Sequence, residues 1–440
     1  MNLDSLITTI KHVLTHDMKS QHVRNFSPTA RLNEDLYIDS VLLMQMLIQL
    51  ELSYDIEVPE SAISQDDVKT VESLARFILS HQGANQDEDN NHVQEVPFED
   101  IKVHCFVSCL CESIKASPKV DHRPFYFGVW DADVVVTKEY TLAYHDESLS
   151  HDFFIQWYKR IYGVEVTPWY DNTKTKAQNI AELENLLDNA TASQNIMVML
   201  DMYLLPEREN KFNQNPFPHY VMLKKTDNQQ RWFMFDPDFR WEGEVERTDV
   251  INAITSPHVA GGYLFDSNDI VPSSLETITQ YFEATFLPEH NVLTDAIRKI
   301  VVAHRDNPNG KGAHLGEALK QIPVLSIRKY AYEHGFAYFW RDIGFPEVTF
   351  ELWCDEIEKL VSTYKAIQYR AIKLSELAKE SKETAPLFEE ILRLLDEQDS
   401  TEKQIKSKLN DVYCEWLAFH QLHTKAEPCL TSACDLEAAL

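Results

Sequence analysis

The sequence predicts a multidomain α+β protein: a helical N-terminal unit, a central mixed α+β unit and a mostly helical C-terminal region. Three observations lead there. A chain of 440 residues exceeds what one ordinary core organises, so two or three domains are expected. Residues 82–91 are polar, acidic and without apolar period, and read as a linker. The spacing of apolar residues also changes along the chain. It is helical before the linker, mixed helix and strand after it, and helical again beyond about residue 275.

In the N-terminal unit, residues 1–81, Leu3, Ile7, Ile10 and Leu14 form an amphipathic stripe. After a long polar loop, Asp39 and Ser40 open a second helix, in which Leu43, Met46, Leu47 and Leu50 keep a period near 3.6 and Glu51 follows. Asp and Ser are ordinary helix starters, so the pair alone is no more than a cap. A short connection carries Ile56-Glu57-Val58-Pro59. Val68, Val71, Leu74, Ala75, Ile78 and Leu79 then make the last helix. In this order the segment resembles an acyl carrier domain, a four-helix bundle. The resemblance implies a 4'-phosphopantetheine arm carried covalently on Ser40, the position that matches the family's serine. It also implies two partners, a phosphopantetheinyl transferase to attach the arm and an acyl-adenylating enzyme to load it.

Composition limits what the rest can do. A formal net charge of −29 argues against nucleic-acid binding, which needs a basic surface, and favours cationic partners. No apolar run reaches membrane-spanning length, so no membrane partner is expected. No signal peptide is apparent, and seven cysteines, an odd number without a disulfide-like framework, point to a reducing cytoplasm. There is no P-loop and no GxGxxG, which leaves ATP-driven and nicotinamide chemistry without support.

The linker spans 82–96 and the central unit 97–272. A short helix is expected from Phe106 to Ala116. Strand-like runs follow at Phe125-Tyr126-Phe127-Gly128-Val129-Trp130, Ile196-Met197-Val198-Met199-Leu200, Tyr220-Val221-Met222-Leu223 and Trp232-Phe233-Met234-Phe235, the last two joined as a hairpin. Beyond lie a helical region, 273–425, and a tail, 426–440. In the helical region Leu352, Ile357, Leu360, Val361, Tyr364 and Ile367 form one stripe, and Leu387, Ile391, Leu394 and Leu395 a second, with Pro386 at its start.

Three central residues are candidates for chemistry. Cys105 stands where a polar loop turns into an apolar helix, and a helix N-terminus favours a thiolate. His219 begins one strand of the hairpin and Asp236 ends the next, so the two are neighbours and the carboxylate can hold the imidazole tautomer. Nucleophile, base and orienting acid in that set suit thiol catalysis. Each also has an ordinary role open to it: a small core thiol, a structural histidine, an Asp-Pro turn. Cys109 and Cys111 are alternative nucleophiles. Their spacing with Cys105 does not match a metal knuckle, so no metal is expected.

Val103-His104-Cys105-Phe106-Val107-Ser108-Cys109-Leu110, Leu200-Asp201-Met202-Tyr203-Leu204-Leu205-Pro206, His219-Tyr220-Val221-Met222-Leu223 and Phe235-Asp236-Pro237 resemble the butirosin-biosynthesis-H-type domain. That family has a papain-like acyltransferase fold and moves an acyl group from a carrier thioester to an amine. A relative in petrobactin-type siderophore assembly is similar in size after the linker. The resemblance implies a cysteine-dependent transfer from the arm on Ser40 through Cys105 to an amine, with dihydroxybenzoyl a candidate acyl group and a polyamine a candidate acceptor. It places the chain in siderophore or other secondary-metabolite biosynthesis. Where papain-fold hydrolases have a glutamine before the cysteine this chain has Glu99, the nearest glutamine being Gln94. The oxyanion donor is therefore unassigned beyond the Cys105 backbone N–H. Asp131, Asp133, Asp201 and Asp238 are candidates by position to attract a cationic acceptor, though an ordinary turn or surface carboxylate is the more common role for each. A linker of about 14 residues reaches on the order of 20 Å, which allows delivery within one chain and equally between two copies. Two other functions stay open: a thioesterase or amidase, and a carrier with a non-catalytic docking domain.

Overall fold

The computed structural model describes residues 2–426 apart from 19–22, 33, 34, 37, 39, 55, 57–68, 82–103, 116, 118, 147, 206, 207, 209–213 and 308–311. Asp39, Val68, the linker, Gln94, Glu99 and the tail from 427 onward lie outside the described residues.

Helices α1 (Leu3–His12), α2 (Ser40–Tyr54) and α3 (Val71–His81) form the N-terminal bundle. The side chain of Asn2 caps α1 by accepting the Ser5 N–H at 2.8 Å. Ile10, Leu14, Met46, Leu47, Leu50, Val71, Leu74, Ala75 and Ile78 are buried together, so the expected stripes do face one core. The position of a fourth helix, between α2 and α3, falls mostly outside the described residues.

The central unit begins with α4 (Cys105–Lys115). A two-stranded ribbon of β1 (Val135–Val136) and β2 (Leu142–Ala143) follows, then α5 (Asp152–Tyr162), β3 (Thr167–Pro168) and α6 (Lys176–Asn189). The chain continues through β4 (Gln194–Asp201), β5 (Pro218–Lys225), β6 (Arg231–Asp236), β7 (Trp241–Glu246), α7 (Arg247–Thr255) and β8 (Gly262–Asp266). These strands make an antiparallel sheet in the order β3-β8-β4-β5-β6-β7. One face of it carries Met197, Met199, Tyr220 and Met222 against α4 and α5. The other buries Ile196, Val198, Val221 and Leu223 with Leu183, Val250 and Ile254 of α6 and α7. Alternation along β4 and β5 therefore serves two cores, which is why both strands read as continuous apolar runs.

The expected strand at 125–130 is absent. Arg123–Gly128 forms a 3-10 turn with Pro124 near its start, and Phe125, Phe127, Val129 and Trp130 are buried on all sides. A short apolar run without alternation fits a buried helical turn as well as a strand, and here Pro124 favours the turn.

The helical region comprises α8 (Leu275–Thr285), α9 (Val292–Asp306), α10 (Leu315–Ala318), α11 (Ile322–Ser326), α12 (Ala331–Ile343), α13 (Glu347–Lys379) and α14 (Ala385–Ala426). The α13 stripe is buried except Leu352, which is 60% exposed in the second turn of the helix. A single apolar cluster runs from Phe106 and Phe127 to Tyr364 and Trp416, so this region shares its core with α4 and α5.

The N-terminal bundle sits on α13. Tyr369 and Ile372 join its core, and Lys373 Nζ pairs with Glu51 Oε2 of α2 at 2.6 Å. Substituting Lys373→Glu sets two carboxylates against each other, and is expected to weaken this contact by about 1 kcal/mol. Hydrogen exchange over residues 366–376 and 46–54 should then rise, with that over β4 and β5 unchanged. Unchanged exchange at 366–376 would count against a persistent contact.

Candidate active site

Cys105 is the first residue of α4, and the start of this helix is held from below. Asp238 Oδ1 accepts the His104 N–H at 3.1 Å and the Ser108 hydroxyl at 2.9 Å, anchoring the first turn through one backbone and one side-chain donor. Asp238 is fully enclosed, and burial pushes its carboxyl above the usual range. α4 lies across β5, whose second residue is His219. Cys105 and His219 thus meet between a helix start and a strand start.

The imidazole is 3% exposed, and its Nε2 lies 2.9 Å from Asp236 Oδ1 at the end of β6. The hairpin expectation placed these residues correctly. With Nε2 engaged by Asp236, Nδ1 is the ring nitrogen left for the thiol. Burial by itself would push the His219 pKa down. The Asp236 carboxylate and the Cys105 thiol, both charged partners and hydrogen-bond partners, raise it well above the usual histidine range. Burial pushes Asp236 up, but His219, Arg208 and the Phe239 N–H together hold it below the usual carboxylate range. Arg208 was not singled out from sequence. Its Nη2 donates to Asp236 Oδ2 at 2.6 Å and its guanidinium stacks 4.2 Å from the Trp241 ring. Its loop carries no pattern that would have marked it.

The other two cysteines differ from Cys105 in surroundings. Cys109 is buried one turn deeper, with its thiol directed at the Tyr220 carbonyl 3.6 Å away. Burial, then the charges of Cys105, Asp236 and Asp238, push it well above the usual thiol range. Cys111 is buried and likewise pushed up by burial. Only Cys105 of the three lines the cavity over His219.

That cavity has a volume of about 270 Å³, with His104, Tyr144, His151, Tyr220 and Arg328 among its walls. Phe153, Phe154, Phe217 and Phe239 make much of the remainder aromatic. The Tyr144 hydroxyl donates to the Pro218 carbonyl at 2.9 Å, bracing the residue before His219. Burial lowers His151 to about 4 and His104 well below its usual range, so both rings are neutral near pH 7.

Of the four acidic residues expected to attract a cation, three have other work. Asp201 accepts the Phe217 N–H at 2.8 Å and the Ser256 hydroxyl at 3.0 Å. Asp238 holds α4, and Asp131 pairs with Lys329 and Lys406. Asp133 alone is exposed on the cavity wall. Ser40 is the first residue of α2. Among the described residues no group of three His, Cys, Asp or Glu is arranged to hold a metal, and no helix is long and apolar enough to cross a membrane.

Comparison with known proteins finds matches to separate parts of the chain. The family described as the DUF6005 N-terminal domain matches residues 100–270, and the DUF6005 C-terminal domain matches residues 276–429. A petrobactin synthase of Bacillus anthracis is 42% identical over 317 residues, 72% of this chain and 95% of that protein. Acyl carrier protein AsbD of the same organism is 32% identical over 91 residues, 21% of this chain and all (100%) of that protein. An acyl carrier protein of Brachyspira hyodysenteriae is 30% identical over 77 residues, 18% of this chain and 96% of that protein.

Proposed function

This chain belongs to the DUF6005 family, the family of petrobactin synthase, with an acyl carrier domain on the same polypeptide, and we propose that it moves an aryl acyl group from that carrier through Cys105 to an amine. In this reading 1–81 is the carrier, 97–272 the papain-like catalytic unit and 273–425 the helical region that completes the cavity. The pathway is siderophore biosynthesis of the petrobactin type, and a polyamine is the favoured acceptor.

The observation that carries the reading is His219 set between Cys105 and Asp236 at an aromatic-lined cavity. The arm expected on Ser40 supplies a thiol that bears the acyl group as a thioester. The Cys105 sulfur attacks the thioester carbonyl, forming its own bond to carbon, and the protonated His219 returns its proton to the departing thiol. His219, now neutral, takes a proton from the incoming amine as nitrogen replaces Cys105 on the acyl carbon. Asp236, fixed by Arg208, keeps the ring oriented in both halves. Thioester to amide is downhill, so the site's task is to favour the amine over water. The aromatic walls support both an aryl acyl group and exclusion of water, and Asp133 supports an acceptor bearing positive charge.

Mass spectrometry of the intact chain tests this. The holo chain, loaded with a dihydroxybenzoyl group and offered spermidine, is expected to lose the acyl mass as the amide appears. Release of free acid at the same rate with and without amine would favour a thioesterase. An acyl mass that stays on the carrier with amine present would sink the transfer reading.

A further inference from the structure

Arg328 is a buried cation that the scheme above leaves without a task. It is 8% exposed and sits on the 3-10 turn Ile327–Tyr330 between α11 and α12. Its Nη1 donates to the Asp133 carbonyl at 3.1 Å, which anchors one edge of the guanidinium. Among the described residues no carboxylate forms an ion pair with it, which is unusual for so enclosed an arginine. It shares the cavity wall with Cys105 and His219. Burial lowers its pKa to about 10, and of the acidic groups that pull it back Cys105 acts most strongly, ahead of Asp133 and Asp238. The guanidinium and the Cys105 thiol thus line the same cavity. Arg328 also helps keep His104 and His151 neutral, so it is the cation of this wall.

We propose that Arg328 is a catalytic residue that donates to the oxyanion formed when Cys105 attacks the thioester carbonyl, supplying the donor that a glutamine provides in papain-fold enzymes. The proposal rests on the Cys105 reading given above. As the sulfur–carbon bond forms, the carbonyl π pair moves to oxygen, and the new negative charge develops in the cavity whose wall Arg328 shares with Cys105. When the C–S bond to the departing thiol breaks, that pair returns to restore the carbonyl, and the proton on the leaving sulfur comes from His219. Arg328 keeps its protons throughout and contributes charge and hydrogen bonds. In a cavity of low polarity a fixed donor of this kind is worth about 10²- to 10³-fold in rate. The anchor to Asp133 and the neighbouring Lys329, itself tied to Trp130 and Glu402, hold the group in place without reorganisation.

The test uses the full chain and a small soluble thioester, dihydroxybenzoyl-N-acetylcysteamine, so that it does not depend on the arm. Acylation of Cys105 is followed by intact mass, and folding by circular dichroism. Arg328→Gln is expected to slow acylation about 10²-fold with the thioester KM within threefold of wild type. Arg328→Lys, which keeps the charge without the fork, should slow it about tenfold, and it carries the test if the glutamine variant fails to fold. Acylation within twofold of wild type in a folded Arg328→Gln would overturn the proposal while leaving Cys105 in place. So would a defect confined to the KM for the amine, which would make Arg328 an acceptor-binding residue. A wild-type chain that never acquires the acyl mass on Cys105 would overturn both readings.

Discussion

Replacing Cys105 with alanine is expected to abolish acyl transfer, by roughly 10³-fold or more, the order seen when a triad nucleophile is removed. The chain should still fold and still accept the arm and its acyl group on Ser40. The reason lies in how little else in the cavity can take over. His219 is tied through Nε2 to Asp236, and its remaining nitrogen has the thiol as partner. Cys109 cannot substitute, because its thiol is buried and burial disfavours the thiolate. A Cys109→Ala variant therefore makes the matched control: it removes a sulfur one turn away, and acylation should stay within about threefold of wild type. Loss of an enclosed thiol costs some packing, on the order of 1–2 kcal/mol, which a Tm measurement separates from chemistry. The discriminating readout is the mass of the central unit after exposure to a thioester. Acyl mass persisting in Cys105→Ala, or vanishing in Cys109→Ala with the fold intact, would reassign the nucleophile.

Much of this site is legible in the sequence because its parts are local. A thiol at the head of an apolar run, a histidine at one end of a hairpin and an aspartate at the other are each fixed by periodicity within a few residues. β5 and β6 then pair as the spacing requires. The α2 stripe is legible for the same reason, whereas the pairing of Glu51 with Lys373, 322 positions away, is not. What periodicity does not carry is long-range. Arg208 reaches Asp236 from a loop without pattern, and Arg328 comes from the helical region far down the chain. Nothing near either residue signals a cavity. The run expected as a strand at 125–130 instead enters the turn Arg123–Gly128, because its side chains are buried all round and leave no alternation to read. Leu352 keeps the spacing of a core residue but is exposed near the start of α13. The acidic residues near the site were legible as charges, yet not as partners: three of the four are consumed by N–H groups, hydroxyls or lysines.

The largest effect on stability is expected from Lys329→Met: a loss of about 3–5 kcal/mol, the cost of breaking a buried ion pair on one side. Lys329 Nζ donates to the Trp130 carbonyl at 2.6 Å and to Glu402 at 2.5 Å, with Asp131 Oδ1 at 3.2 Å. Lys406 pairs with Asp131 Oδ2 at 2.7 Å and donates to the carbonyls of Leu287 and His290. Tyr332 and Tyr364 donate to Glu402. Two lysines against two carboxylates leave the cluster neutral, and none of the four side chains is more than 3% exposed. Removing one lysine strands a net negative charge in the core, and a methionine of similar length cannot bond the Trp130 carbonyl. For a unit of this size the loss corresponds to a fall in Tm on the order of 10 °C, measurable by calorimetry. Adding Glu402→Gln to Lys329→Met returns the cluster to neutrality through the Asp131–Lys406 pair, and should recover more than half of that fall. A single variant melting within 2 °C of wild type would show the cluster to be solvated and of little consequence. Because Asp131 belongs to the segment before the sheet while Lys329, Glu402 and Lys406 belong to the helical region, a fragment ending near residue 272 would leave that carboxylate with neither of its lysines. It would also lack Arg328, so the helical region is tied to the central unit both by the balance of buried charge at Asp131 and by the cavity wall that Arg328 shares with Cys105.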